Sequence, residues 1–306
     1  MANQPIRCSW MCNRSKLVTQ THSSPTDDAP SSERPAFRIA AIGDLHLRAH
    51  VPEILADELA TLDGEIDLLV VAGDITDGGR LPEIELATRL FSRLTVPTVA
   101  VFGNHDRRGL RRTAMRKLLK EAGVVLLDGT TWEHTFADGR RIGIAGVGGY
   151  GGGFWPDETP EVVGARLSKA VGVRARREAL RLKQALSALD RTAPDARLAL
   201  MHYAPTVSTL GDEPPRKYWM LGNSLLGNVI DQHHVDLVIH GHAHLGNEHG
   251  QTRGGVPVRN VAAHVTGGVA IYELRHPRHV ASLSPKRQPA ILVPPHGLPT
   301  SDTDYG

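Results

Sequence analysis

Three times in its first third the chain runs through a short, nearly unbroken apolar stretch that ends on Gly followed by a side chain able to bind a metal. Ile39-Ala40-Ala41-Ile42 leads into Gly43-Asp44, Val70-Val71-Ala72 into Gly73-Asp74, and Val99-Ala100-Val101-Phe102 into Gly103-Asn104. Runs without polar alternation are the habit of strands buried on both faces, as in parallel sheets. Such strands need crossover helices, so the chain is confined to α/β architectures. Glycine at each strand end lets the backbone turn sharply, and the carboxyl ends of parallel strands are where α/β proteins gather their ligands.

The rest of the pattern extends this reading. Strands are expected at 37–42, 66–72, 98–102, 142–145, 198–201, 235–239, 258–261 and 269–274, from short β-branched or apolar runs. Helices are expected at 52–62, 82–94, 110–122, 173–189 and 221–233, with Pro52 and Pro82 where a first helical turn accepts proline. The crowding of late strands implies a second sheet, giving a two-sheet core flanked by helices. Residues 1–35 are rich in Ser, Thr, Pro, Asn and Asp without period and read as a disordered tail. From residue 276 to 306 Pro recurs and regular structure is not expected, although Ala290-Ile291-Leu292-Val293 could dock on the core. The expected domain is therefore 36–275.

Bulk properties exclude several classes. With 35 basic and 33 acidic residues the net charge is only +2, so overall charge does not argue for nucleic acid or an anionic membrane. Nucleic acid stays open as a substrate, and the oligomeric state is not legible. Cys8 and Cys12 are the sole cysteines, both in the N-terminal tail with His22 nearby; they make neither a disulfide framework nor a complete zinc site. No apolar run is long enough to span a membrane, and Trp10-Met11-Cys12 is too short for a secretory signal. A cytoplasmic protein without membrane contact is the expectation.

The chemistry lies in five blocks: Gly43-Asp44-Leu45-His46, Gly73-Asp74, Gly103-Asn104-His105-Asp106, His202, and Gly241-His242-Ala243-His244. Each follows a predicted strand. Singly each is weak, since D-x-H and Gly-Asp are common in loops. Together they supply two Asp, one Asn and four His as ligands, enough for two metal ions sharing a carboxylate, with His105 beside them. Mixed N and O donors suit Mn, Fe or Zn better than Ca. Two-metal sites of this kind hydrolyse phosphate esters.

The ordered set D-x-H, G-D, G-N-H-[DE], H, G-H-x-H resembles the calcineurin-like metallophosphoesterase superfamily over roughly residues 37–275, with every block intact. The resemblance implies a four-layer fold with a two-sheet sandwich between helices. It implies that Asp44, His46 and His244 bind one ion and Asn104, His202 and His242 the other, with Asp74 bridging. It further implies that a hydroxide bridging the ions attacks phosphorus, while His105, held by Asp106, assists the leaving group. Ser/Thr protein phosphatases of this superfamily carry Arg in their G-D-x-V-D-R-G block. Here Gly73-Asp74-Ile75-Thr76-Asp77-Gly78-Gly79 lacks it, and the compact core looks more like the bacterial phosphodiesterases, including those of cyclic nucleotides. A small phosphate ester is the expected substrate. A phosphomonoesterase or nucleotidase on the same site is the alternative, and a non-catalytic scaffold the next, disfavoured by the intact ligands.

Other features bear on the substrate. Arg107 and Arg108 open a basic run continuing through Arg111, Arg112, Arg116 and Lys117, read either as a solvated helix face or as contacts to a second phosphate or a nucleic-acid backbone. Arg174, Arg176, Arg177, Arg181 and Lys183 form a second run, read as a solvated face. The glycine-dense stretch 146–153 leads into Phe154-Trp155 and reads as a mobile loop, with Tyr150, Phe154 or Trp155 available to close over the site and stack on a base or leaving group. His233, His234 and His240 read as packing or surface residues, and His264 as a further histidine able to face the site.

Overall fold

The computed structural model describes residues 36–109, 111–158, 166–275 and 279–282. The elements follow in the order β1 (Phe37–Ile42), α1 (Glu53–Leu62), β2 (Leu68–Val71), α2 (Leu81–Phe91), β3 (Thr98–Val101), α3 (Arg112–Glu121), β4 (Val124–Leu127), β5 (Thr130–Thr135), β6 (Arg141–Gly146), α4 (Arg166–Thr192), β7 (Ala196–Leu200), α5 (Tyr218–Leu221), α6 (Ser224–Ile230), β8 (Leu237–His240), β9 (His249–Gln251), β10 (Pro257–Asn260), α7 (Ala263–Thr266), β11 (Ala270–Arg275) and β12 (His279–Ser282).

Two six-stranded sheets result, ordered β12-β11-β1-β2-β3-β4 and β5-β6-β7-β8-β10-β9. β1 to β4 are parallel, and so are β6, β7, β8 and β10. Side-chain alternation along each strand builds the layers. Ile39, Ala41, Leu68, Val70, Val99 and Val101 turn inward and meet Ile142, Ile144, Leu198 and Leu237 of the other sheet in one buried cluster. The intervening Ala40, Ile42, Leu69, Val71, Ala100 and Phe102 turn outward onto α1, α2 and α3 through Leu55, Leu59, Ile84, Phe91, Met115 and Leu119. Ala145, Ala199, Met201, Val238 and Val258 turn outward onto α4 and α6. The order is thus helix, sheet, sheet, helix, as expected.

All eight expected strands are present. β4, β5, β9 and β12 were not foreseen. β5 and β9 are exposed edge strands, and β4 is a four-residue apolar run directly after a helix, indistinguishable by period from a helix end. β12 lies inside the segment expected to lack regular structure; its backbone pairs with β11 from Arg275↔His279 to Tyr272↔Ser282. Edge strands need no two-sided burial and so leave a weak sequence signature. The expected helix at 221–233 is divided at Gly222-Asn223, where the Asn223 side chain accepts from the Leu226 N–H (3.0 Å) and starts α6 anew. Residues 1–35, with Cys8, Cys12 and His22, and residues 283–306, with Ala290–Val293, lie outside the described residues. No helix among the described residues is long and apolar enough to cross a membrane.

Candidate metal centre

Parallel strands of both sheets end on one rim, and the five blocks sit there. The loops after β1 and β2 are zipped together by backbone bonds: Asp44 N–H donates to Gly73 carbonyl (3.0 Å), His46 N–H to Asp74 carbonyl (2.9 Å) and Leu47 N–H to Ile75 carbonyl (3.0 Å). Five described non-glycine residues have positive φ, and four of them are Asp44 (57°), His46 (43°), Asp74 (48°) and His242 (71°). Left-handed non-glycine backbone costs on the order of 1 kcal/mol or more, and such residues cluster where function demands a particular side-chain direction. A side chain at Gly103 would run into the Asp74 carboxylate, and one at Gly241 into that of Asp44. Glycine at these two places is the condition for the carboxylates to lie where they do.

Asp44, Asp74 and His202 are buried, and His46 is 8% exposed. Asp44 Oδ2 accepts the His242 N–H (2.8 Å), and Asp44 Oδ1 lies 2.9 Å from His244 Nε2. Asp74 Oδ1 accepts the His105 N–H (2.8 Å). Asp74 Oδ2 faces His202 Nε2 at 3.4 Å and His46 Nε2 at 3.8 Å, so one oxygen looks toward a histidine of each expected set. His202 Nδ1–H donates to the Ala72 carbonyl (2.9 Å), which turns its Nε2 toward Asp74 and toward Asn104 Oδ1 (3.0 Å). His242 Nε2–H donates to the Met220 carbonyl (3.2 Å), leaving Nδ1 for the rim. A second ring nitrogen engaged in this way is the usual mark of a metal-binding imidazole.

The donor set passes a test of fit for cations. Donor atoms of Asp44, Asp74, His202 and His242 lie within 4.8 Å of one another, and so do those of Asp44, His46 and His244. Neighbouring ligands of an ion bound at about 2.0–2.2 Å stand roughly 3 Å apart, close to the separations found here. Both ring nitrogens of His46 are buried without a hydrogen-bond partner, although Nε2 points between two carboxylates. An orphaned nitrogen aimed at acceptors is what a cation would satisfy.

Electrostatics agree. Burial raises the Asp44 pKa, but His244, His202 and His46 outweigh it and hold the carboxyl well below the usual range. Asp74 is likewise held low against burial, chiefly by His202. Burial opposes charge on His202, yet Asp74 and Asp44 push its pKa up to about 9. Burial and the His202 charge push His242 down to about 3. Two ionised carboxylates in a buried pocket thus attract positive charge, and without an ion a proton on His202 supplies part of it.

The expected role of Asp106 is corrected. Its oxygens accept from Thr76 N–H (2.8 Å), Thr76 Oγ1 (2.8 Å), Gly103 N–H (2.9 Å) and Ile75 N–H (3.3 Å), stitching the loops after β2 and β3 together. Backbone donors at hydrogen-bonding distance have claimed both oxygens, so Asp106 does not hold His105. That role falls to Asp77. Its carbonyl accepts from His105 Nδ1 (2.7 Å), and its Oδ1 lies 3.5 Å from His46 Nδ1, an ion contact longer than a hydrogen bond. Arg48 clamps Asp77 from outside at 2.9 Å. Asp77 is the third residue after Asp74, in a stretch read only for the arginine it lacks. Burial lowers the His105 pKa against the pull of Asp74.

The other expected residues divide. Tyr150 joins the site's flank: its ring lies 5.8 Å from Tyr203, which lies 4.3 Å from His242. Tyr203, adjacent to His202, had not been singled out. Arg108 is exposed and within electrostatic reach of His105. Arg107 turns toward Gly148 instead. Trp155 is 69% exposed and lines a separate cleft of about 260 Å3 with Phe154, Pro205 and Arg253, whose guanidinium lies 5.6 Å from the indole. His264 stacks on His244 (4.1 Å, 10°). His240 is buried, hydrogen-bonded to Thr209 Oγ1 (2.8 Å), and pushed by burial to about 4; His233 pairs with Asp190 (2.6 Å).

Comparison with known proteins bears on the fold and the family. No curated protein matches the chain in sequence. Among solved structures, TT1561 of Thermus thermophilus superposes with a TM-score of 0.51 at 18% identity, covering 81% of this chain and 98% of that one. A candidate 5′-nucleotidase from Staphylococcus aureus, solved with alpha-ketoglutarate, gives 0.51 at 13% identity over 81% of this chain and 53% of its own. GAP50, the anchor in the inner membrane complex of Plasmodium, gives 0.50 at 12% identity over 83% and 90%. At such identities the likeness is one of fold, and the fold alone carries no activity. The model of the calcineurin-like phosphoesterases matches residues 37–246, and the chain belongs to that family.

Proposed function

We propose that this calcineurin-like phosphoesterase is a two-metal hydrolase of phosphodiesters. The observation that carries the reading is the position of Asp74 Oδ2, between a histidine of the first sheet's loops and one of the second sheet's. On this reading Asp44, His46 and His244 hold one cation, Asn104, His202 and His242 the other, and Asp74 both. When bound, Mn, Fe or Zn ions would neutralise the phosphate oxygens and acidify a water for in-line attack.

The remaining work belongs to the chain. The Ala72 and Met220 carbonyls fix the imidazoles of His202 and His242. Asp77 fixes His105 beside Asp74, where it stands for the leaving oxygen. The half-buried ring favours its neutral form, and the negative charge of an arriving phosphate pushes it back toward the imidazolium that can donate a proton. Tyr203 and Tyr150 wall the His242 flank and offer surface to a second ester substituent.

The test is hydrolysis by metal-stripped protein reloaded with Mn2+, comparing bis(p-nitrophenyl) phosphate with p-nitrophenyl phosphate. Diester turnover is expected to dominate. Asn104→Ala or His202→Ala should lower it by orders of magnitude and lose one ion per chain. A preference for the monoester would move the reading to a phosphomonoesterase, and full activity in a variant that has lost both ions would sink the two-metal reading. His105→Ala should keep both ions and lose rate chiefly on poor leaving groups; an equal loss on good and poor ones would remove its acid role.

A further inference from the structure

The two arginine runs of the sequence meet in the fold. Asp128, just after β4, takes Arg112, Arg116 and Arg181 at 3.7, 3.0 and 2.8 Å. Glu178 of α4 takes Arg181 at 3.2 Å and the Gly149 N–H at 3.3 Å. Arg107 and Arg174 share this neighbourhood; Glu178 and Asp128 attract Arg107 and Arg174 repels it, yet neither arginine forms an ion pair among the described residues. Five guanidinium groups therefore face two carboxylates.

Arg107, which Glu178 and Asp128 attract from beyond ion-pair distance, lies on the side of the metal centre. The Arg107 guanidinium packs against Gly148, where any side chain would strike it, and its buried Nε has no partner. The Gly148 carbonyl in turn accepts the N–H groups of His202 (3.0 Å) and Tyr203 (3.3 Å). Arg174 lies over the Tyr150 ring at 4.7 Å. The Tyr203 ring stands 5.8 Å from that of Tyr150 and 4.3 Å from that of His242, and its phenol is within electrostatic reach of Asp74, Arg107 and Arg174. A half-buried guanidinium with no carboxylate in direct contact gains from an anion that completes it. Its planar fork suits the paired oxygens of a phosphoryl group.

We propose that Arg107 and Arg174 form a second anion subsite across Tyr203 from the metal ligands, so that the substrate is a disubstituted phosphate carrying a second phosphoryl group. Pyrophosphate-linked conjugates and diesters of phosphorylated alcohols share that chemistry; simple cyclic mononucleotides lack it. The assignment rests on the phosphoesterase reading for the scissile phosphate, but the subsite is tested by binding.

Calorimetry on the full-length, Mn2+-reloaded protein should compare inorganic pyrophosphate with orthophosphate. The native protein should bind pyrophosphate at least tenfold more tightly. Arg174→Ala, an exposed position, should weaken pyrophosphate tenfold or more and orthophosphate less than threefold. Arg191→Ala removes the same charge from the far end of α4 and should change neither. Equal losses for both anions in Arg174→Ala, or none, would overturn the subsite. So would loss of a ten-nucleotide single strand with pyrophosphate binding intact, which would assign the arginines to a nucleic-acid backbone. If the reloaded protein cleaves no ester, the phosphoesterase reading fails separately, and the same titration on metal-free protein still decides the arginine pair.

Discussion

Asp77 serves two histidines at once, and its removal should be felt at both. Its carbonyl orients His105 and its carboxylate faces His46, while contact with His46 and Arg48 holds the carboxyl well below the usual range. Partners behind metal ligands are typically worth about 10–100-fold in metal affinity or rate. Asp77→Asn, which keeps the carbonyl and removes the charge, should weaken metal binding by about that factor with a smaller change in the His105-dependent step. Native metal affinity by competition with a chelating dye would show that Asp77 does nothing for His46. The ligand blocks themselves were legible because Asp, His and Asn recur after glycine at strand ends. Asp77 and Tyr203 were not, because each acts through a neighbour in space. The resemblance misled on Asp106 for the same reason: a motif does not say which backbone donors a carboxylate meets once β2 and β3 lie side by side.

At the scale of elements, α3, α4 and the corner between β4 and β5 are tied through one side chain. The nearby arginines outweigh burial and hold the Asp128 pKa below 3.8. A depressed carboxylate pKa contributes stability that is present above the unfolded value and lost as pH falls through the folded one. Asp128→Asn should therefore lower the melting temperature at pH 7, with the gap from the native protein narrowing as pH drops below 3.8. A gap constant with pH would mean that packing, not charge, holds the corner. The arginine runs were legible as helix faces, and their convergence was not, since residues 112 and 181 meet only through the order of strands in two sheets. Core strands were legible from apolar runs; β5 and β9 were not, because these edges bury one face or none, and β12 was not, because it follows the first of the recurring prolines.

At the scale of the molecule, the proposed ligands come from both sheets, Asp44, Asp74 and Asn104 from one and His202, His242 and His244 from the other. Ions that bind only the folded arrangement stabilise it by mass action, about 2.7 kcal/mol at a hundredfold excess over Kd. For a domain of this size that is a rise in melting temperature of roughly 5–10 °C. Scanning calorimetry with and without chelator should read it, and His202→Ala should reduce it; a melting temperature indifferent to chelator would deny the site its ions.

The placement of β1 has a consequence for how the protein is made. β1 lies between β2 and β11, in register Phe37↔Leu274. Asp44 hangs from the end of a strand whose second neighbour is among the last described elements to leave the ribosome. Pairing across so long a loop is slow, and until it closes one edge of β1 is open. The family match stops at residue 246, before β10 and β11. A fragment cut at that point would carry every proposed ligand and yet lack the strand that closes over β1, so it should collect as insoluble aggregate rather than as a smaller enzyme.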